Sequence, residues 1–355
     1  MLALALNIRA GALTSLGYFG LLVITFVIRE RNWNWRRLAD TAGRLAVVTV
    51  AALLLGTILW PWAGAAALKR LVLALLSFSE SSDGPRVLYA GQWLYDKAIP
   101  RTYAPWWILI STPPVVLAGL AAALIFGVPN RGHAARRRAL WVVALLPVAL
   151  VVANRSPLYD GIRHLLFVYP VLVVLSASGW MAWLSQRRPW LRRSAVVLLI
   201  AGLLDIIVFV VRFHPYETIY FNELVGGPRG AFARYDMDYW GNCLHEAVAW
   251  SAETARLSRM PIAIGASHEP RPSLRWETER FTGVFWAPAH NYIDIRLNRG
   301  TAVEVAQMAK ADALYRVTSP DGVVLCVVLP GPQFDELKPR LSMPDKTFPR
   351  RGRWR

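Results

Sequence analysis

The chain has 355 residues, 55% of them hydrophobic, and carries 40 Lys and Arg against 23 Asp and Glu, a net charge of +17 with a pI near 10.5. In a soluble protein that balance would suggest nucleic acid. Here the arginines gather in short loops between long apolar runs, where they set membrane topology and meet anionic headgroups, so nucleic acid is excluded as a partner.

Six apolar runs occupy the first 212 residues: 11–28, 45–62, 104–128, 139–153, 165–184 and 195–211, the last interrupted only by Asp205. A bilayer core takes roughly 20 residues of helix, so most of these runs are long enough to span. The run 139–153 is short and is counted because the alternation of loops requires it. Asp205 is costly in lipid and is expected to face the helix bundle with a structural partner. The expected fold is therefore a polytopic α-helical membrane domain of about six transmembrane helices (1–212), a small extracytoplasmic α/β domain (213–332) and a basic disordered tail (333–355).

The loops give the orientation. Arg29, Arg31, Arg36, Arg37 and Arg44 follow the first run, Arg131, Arg136, Arg137 and Arg138 the third, and Arg187, Arg188, Arg192 and Arg193 the fifth. Those loops are cytoplasmic by the positive-inside rule. Segments 63–103 and 154–164 contain Glu80, Asp83, Asp96 and Asp160 and are placed outside, as is everything after the sixth run. Localisation is thus the cytoplasmic (inner) membrane, multi-pass. Met1 opens directly into the apolar stretch LALALNIRAGALTSLGYFG without the basic region of a secretory signal, which reads as the continuation of an upstream part.

Residues 63–78, with Lys69 and Arg70 on an otherwise apolar helix, suit the membrane interface. Trp93, Tyr95, Tyr103, Trp106 and Trp107 after them read as an interfacial aromatic belt, or as the rim of an outer-leaflet site. In the external domain, helical periodicity is expected over 243–257 and 302–313, and strands over 261–266, 292–297 and 323–329. Cys326 lies inside the last apolar run and reads as a buried free thiol. A disulfide with Cys243 is permitted outside the cytoplasm, but spacing alone does not bring the two together.

Several chemical motifs are set aside. His245-Glu246 begins like a zinc protease, but position 249 is Ala. Cys243 and His245 have no further ligands at metal-site spacing, so no metal is expected, and no cofactor. Asp236-Met237-Asp238 resembles the D-x-D that holds a metal-bound nucleotide sugar, a cytosolic substrate, whereas this motif is placed outside.

Two features remain. Tyr159-Asp160-Gly161-Ile162-Arg163-His164 stands at the outer end of the fifth helix, where open N–H groups and the cations of Arg163 and His164 suit a lipid phosphate. The simpler reading pairs Arg163 with Asp160 to anchor the helix. The segment 214–241 interleaves aromatic rings with carboxylates and amides, and Tyr216, Tyr220, Asn222, Asp238, Tyr239 and Trp240 are candidates for binding a sugar or acceptor. Interfacial packing is the alternative.

At LYDGIRHLLFVYP (158–170) and HPYETIYFNELVGGPRGAF…DYWGNCLHEAVAW (214–250), and more weakly at LALNIRAGALTSL (2–14), the chain resembles the membrane glycosyltransferases with the GT-C fold. The similarity is to the family 39-like group that includes protein O-mannosyltransferases and aminoarabinose transferases, in its C-terminal part. That resemblance implies transfer of a sugar from a polyprenyl-phosphate carrier to an extracytoplasmic hydroxyl, with an acidic residue activating the acceptor. In the family this acid lies in an early external loop that has no counterpart here. Glu80, Asp83 and Asp160 are the external acids nearest the requirement, though none stands in the family's catalytic motif. The expected partners are the polyprenyl-phosphate-linked sugar and membrane lipids. The alternatives are a non-catalytic subunit or remnant that binds lipid-linked sugar, completed by a separate N-terminal polypeptide, and a transporter or sensor with a periplasmic domain.

Overall fold

The computed structural model describes residues 35–58, 69, 86–95, 98–127, 131–156, 158–266, 275, 278–344 and 348. The chain divides into two compact units, one of residues 1–84 with 130–147 and the other of residues 85–129 with 148–355. This division cuts across the boundary at 212 expected from the sequence. It does so because residues 85–127 pack with the helices and strands that follow residue 148.

In the first unit, helix α1 (Trp35–Ile58) carries an exposed Arg44–Asp40 ion pair at 3.0 Å, one helical turn apart. The second unit opens on a hairpin, β1 (Val87–Tyr89) and β2 (Gln92–Leu94), antiparallel. Ala90 and Gly91, with φ of 51° and 81°, make the tight two-residue turn that such a hairpin needs. Helices α2 (Tyr103–Ser111) and α3 (Pro114–Ile125) follow, bent by 112° at their junction. Pro113 and Pro114 explain the break, since neither can donate the backbone bond that would continue α2. Helix α4 (Arg131–Ala153) passes from the first unit into the second. A 3-10 turn (Arg163–Val168) leads into α5 (Tyr169–Leu184), and α6 (Pro189–Phe213) follows after four residues.

Two helical segments are long and apolar enough to cross a membrane, Arg163–Leu184 with 22 residues and Pro189–Phe213 with 25, and a third counts if α2 and α3 are one bent span. This fits a membrane protein. It corrects the expected domain of about six spans. The run 104–128 is divided by its prolines. The run 139–153 is the end of α4, whose first turns hold four arginines and which is too short by itself to reach across. Of the run 45–62 only the part within α1 is described. The run 11–28 and nearly all of the expected interfacial helix 63–78 lie outside the described residues.

α3 and α5 run parallel and close. Ser111 meets Tyr169 at one end and Phe126 packs on Trp183 at the other. Between them the backbones approach at Gly119 and Gly179, where an added Cβ on Gly179 would stand 1.9 Å from the Gly119 carbonyl oxygen. Small residues permit this contact, as is usual between membrane helices. Trp180 secures it by donating its indole N–H to the Val115 carbonyl at 2.9 Å. Most of α6 stays uncovered, with Val197, Leu203, Ile207, Val208 and Val211 exposed. Asp205 is exposed with them and does not face a bundle as expected.

The remainder of the second unit is built on a five-stranded sheet of order β4-β3-β5-β7-β6: β3 (Ile262–Ala266), β4 (Val284–Trp286), β5 (Ile293–Leu297), β6 (Tyr315–Thr318) and β7 (Val324–Pro330). β3 is parallel to β4 and β5, whereas β7 is antiparallel to both β5 and β6. A one-turn helix, α7 (Gly227–Ala231), precedes α8 (Cys243–Ser258), whose Ala247, Val248 and Trp250 are buried with Ile262, Ile264, Ile295 and Val327 of the sheet. Helix α9 (Ala302–Lys310) begins in a capping box between Thr301 and Glu304 and buries Val305 and Met308. Cys243 and Cys326 form a disulfide that ties α8 to β7, correcting the expectation of a free thiol. Of the expected disordered tail 333–355, residues 333–344 and 348 are described. Helix α10 (Phe334–Leu337) buries Phe334 and Leu337 on this unit.

Candidate functional site

The turn before the first membrane-length helix organises the cluster. Asp160 and Gly161 both have left-handed backbones, φ 55° and 66°. A Cβ on Gly161 would stand 3.2 Å from the Trp107 ring, so the sharp reversal needs glycine there. Gly161 N–H donates to the Tyr103 hydroxyl at 3.2 Å, and Arg163 N–H and Leu165 N–H are taken up by the 3-10 turn. The amides that the sequence suggested as open anion donors are therefore largely committed, and the charge at this point comes from side chains.

Those side chains converge on Asp160, which is 5% exposed. Its two carboxylate oxygens accept separately from Arg163 at 3.1 Å and from Arg299 at 2.9 Å. Arg299 arrives just beyond the end of β5, so sheet and helix meet at one carboxylate. Two guanidiniums against one carboxylate leave an excess of one positive charge in a part-buried setting, where screening is weak. The Arg163 guanidinium also lies 4.7 Å from the centre of the Trp240 ring, and His164 packs edge-on against Tyr159 at 4.6 Å. Trp240 is 48% exposed and neighbours Tyr239 at 5.5 Å, so an aromatic surface borders the cationic cluster.

The other predicted residues have different occupations. Asn222 is fully buried, donates to the Leu109 and Thr112 carbonyls at 2.7 and 2.8 Å and accepts from Leu224 N–H, closing the end of α2. Asp238 accepts from the N–H groups of Asn242 and Cys243 at 2.8 and 2.9 Å and so caps α8. Asp236 accepts from Leu88 N–H at 3.2 Å, so both acids of the D-x-D hold backbone amides. Tyr220 packs edge-on against Phe209 of α6 at 4.7 Å. Glu80 and Asp83 lie outside the described residues. A general base made from Asp160 would first have to lose both of its arginines.

Tyr216 belongs to a second polar centre. Its hydroxyl donates to Glu246 at 2.7 Å, while the Tyr315 hydroxyl reaches the other oxygen of the same carboxylate at 2.5 Å. Trp250 stacks on Tyr315 with ring centres 5.5 Å apart. Burial first, and then Glu246 through its charge and its hydrogen bonds, push both phenols well above their ordinary value. Glu246 and Arg299 were not among the candidates. Each is distant in sequence from its partners, and the only hint was a basic residue at the carboxyl end of a strand.

No family model, curated protein or solved structure matches the chain.

Proposed function

We propose that this is a membrane protein of the GT-C glycosyltransferase type that binds a polyprenyl-phosphate-linked sugar on the extracytoplasmic side of the cytoplasmic membrane. The observation that carries the reading is the net-positive Asp160–Arg163–Arg299 cluster, set at the first turn of a membrane-length helix and bordered by the exposed ring of Trp240. A lipid-linked donor brings its phosphate to that depth, next to its sugar. Guanidiniums match phosphate oxygens in geometry, and aromatic faces pack against the apolar faces of a sugar ring. The Cys243–Cys326 disulfide supports an oxidising compartment for the sheet.

Binding of a short-chain polyprenyl phosphate to the full chain in detergent tests this. Losing one charge-assisted contact costs roughly 1.5 to 3 kcal/mol, so Arg163→Ala should weaken binding at least about tenfold. Asp160→Asn, which removes the competing carboxylate, should leave binding intact or tighter. Unchanged affinity in folded Arg163→Ala protein would leave the cluster as a helix anchor and end the reading.

A second reading, binding without transfer, is favoured by the state of the acids. Among the described residues Asp160, Asp236 and Asp238 are all engaged in internal pairing, and none of them faces the Trp240 surface as an available base. Carrier binding without release of labelled sugar to an acceptor would select it.

A further inference from the structure

A shallow cleft in the second unit, separate from the Asp160 cluster, carries two arginines at its rim. Arg101 precedes α2 and Arg155 follows α4, and with them lie Ile99, Ala104, Val151 and Leu158, a floor whose side chains are apolar except for Ser156. Both arginines are exposed, and among the described residues neither has an acidic partner. The turn at the end of α4 fixes the geometry. Asn154 N–H and Ser156 N–H bond back to the Leu150 and Val151 carbonyls, and Arg155 takes a left-handed backbone with φ 48°. The α4 terminus contributes at most about half a negative charge, so the mouth remains cationic. Tyr103, 1% exposed, closes the inner wall and its hydroxyl accepts from Gly161 N–H, so Ser156 is the uncharged side chain that brings a polar group to the cleft beside the apolar residues.

We propose that this cleft docks an anionic phospholipid of the surrounding bilayer, its phosphate held between Arg101 and Arg155 and the start of an acyl chain lying on the floor. A cationic rim over an apolar floor fits an amphiphile better than a free anion, which would leave the floor uncovered. The inference does not depend on the glycosyltransferase reading, because neither arginine contributes to the Asp160 cluster.

The test is native mass spectrometry of the full chain in detergent, with phosphatidylglycerol, phosphatidylcholine and a short-chain polyprenyl phosphate offered in turn and inorganic phosphate as competitor. The wild type should retain phosphatidylglycerol over phosphatidylcholine, and Arg101→Gln with Arg155→Gln should lower that retention by roughly thirtyfold. Arg101→Lys with Arg155→Lys should keep most of it, which separates charge from folding. Equal retention of the two phospholipids by the wild type would overturn the proposal, as would undiminished phosphatidylglycerol in the folded double Gln variant. Displacement by inorganic phosphate at matching concentration would overturn the role of the floor. Preference for the polyprenyl phosphate over phosphatidylglycerol, lost in the same variant, would overturn the assignment to a bulk lipid and make the cleft a second carrier site.

Discussion

Three aspartates of the second unit have separate duties. Asp236 binds the hairpin, Asp238 caps α8, and Asp160 gathers two arginines. Sequence made Asp160 and Arg163 visible together because they are three apart on a helix start. It gave no route to Arg299, 139 residues away. Asp238 was read for a ligand because acid beside Tyr and Trp suits sugars, yet its position four and five residues before two open amides marks a cap equally well. Asp238→Ala should therefore lower stability by about 0.5 to 2 kcal/mol without touching the Trp240 surface, seen as a lower denaturation midpoint with carrier affinity unchanged. The Tyr216–Glu246–Tyr315 centre makes a pH prediction. Phenols raised above 10.0 in the folded protein stay protonated while unfolded ones ionise near that value. Their stabilisation is complete below pH 10 and is lost as pH rises beyond it. Thermal melts from neutral to strongly alkaline pH should show a loss above pH 10 that Tyr216→Phe reduces. Near neutral pH the same variant should cost about 1.5 to 3 kcal/mol, the worth of a hydrogen bond to a charged group.

Elements were legible where period and boundaries agreed. Strands expected at 261–266, 292–297 and 323–329 stand as β3, β5 and β7, and the helices of the sheet region begin where expected, at 243 and 302. β4, β6 and the β1–β2 hairpin were missed because each is at most four residues long, too short for alternation to show. Apolar length was misleading in the membrane region. The uncharged character of the run 104–128 says nothing of the adjacent Pro113 and Pro114 within it, and these decide whether one span or two shorter helices form. Packing of α3 on α5 rests on absent side chains, which yields opposite predictions for the same substitution. Gly179→Ala drives a methyl group into the Gly119 backbone and should cost roughly 1 to 3 kcal/mol or more. Gly43→Ala, on an exposed part of α1 with nothing within 4 Å, should stabilise by about 0.5 to 1 kcal/mol. Equal melting shifts for the two would show that the α3–α5 contact is looser than described.

For the whole molecule, the disulfide and the arginine loop make one joint prediction about sidedness. Cys243 and Cys326 are separated by 83 positions, and in the chain-entropy account closing such a loop stabilises by about 4.5 kcal/mol at 25 °C. That contribution exists only where thiols stay oxidised, which argues for an exported sheet. Independently, the two membrane-length segments are joined by four residues, so if both cross, Arg163 and Phe213 share one side and Arg187, Arg188, Arg192 and Arg193 the other. Arginine-rich short loops stay in the cytoplasm, so the prediction is that the Asp160 cluster and the sheet lie outside. In intact cells a membrane-impermeant maleimide should label Phe285→Cys, an exposed position on β4, and spare Arg187→Cys until the membrane is opened. In the same preparation, a non-reducing gel should show the Cys243–Cys326 link, and reductant should lower the denaturation midpoint. Labelling of Arg187→Cys with protection of Phe285→Cys would invert the topology and remove the lipid-linked donor from reach of Arg163. A reduced pair in cells, with the predicted sidedness intact, would instead leave the orientation standing and withdraw the disulfide from the protein's stability.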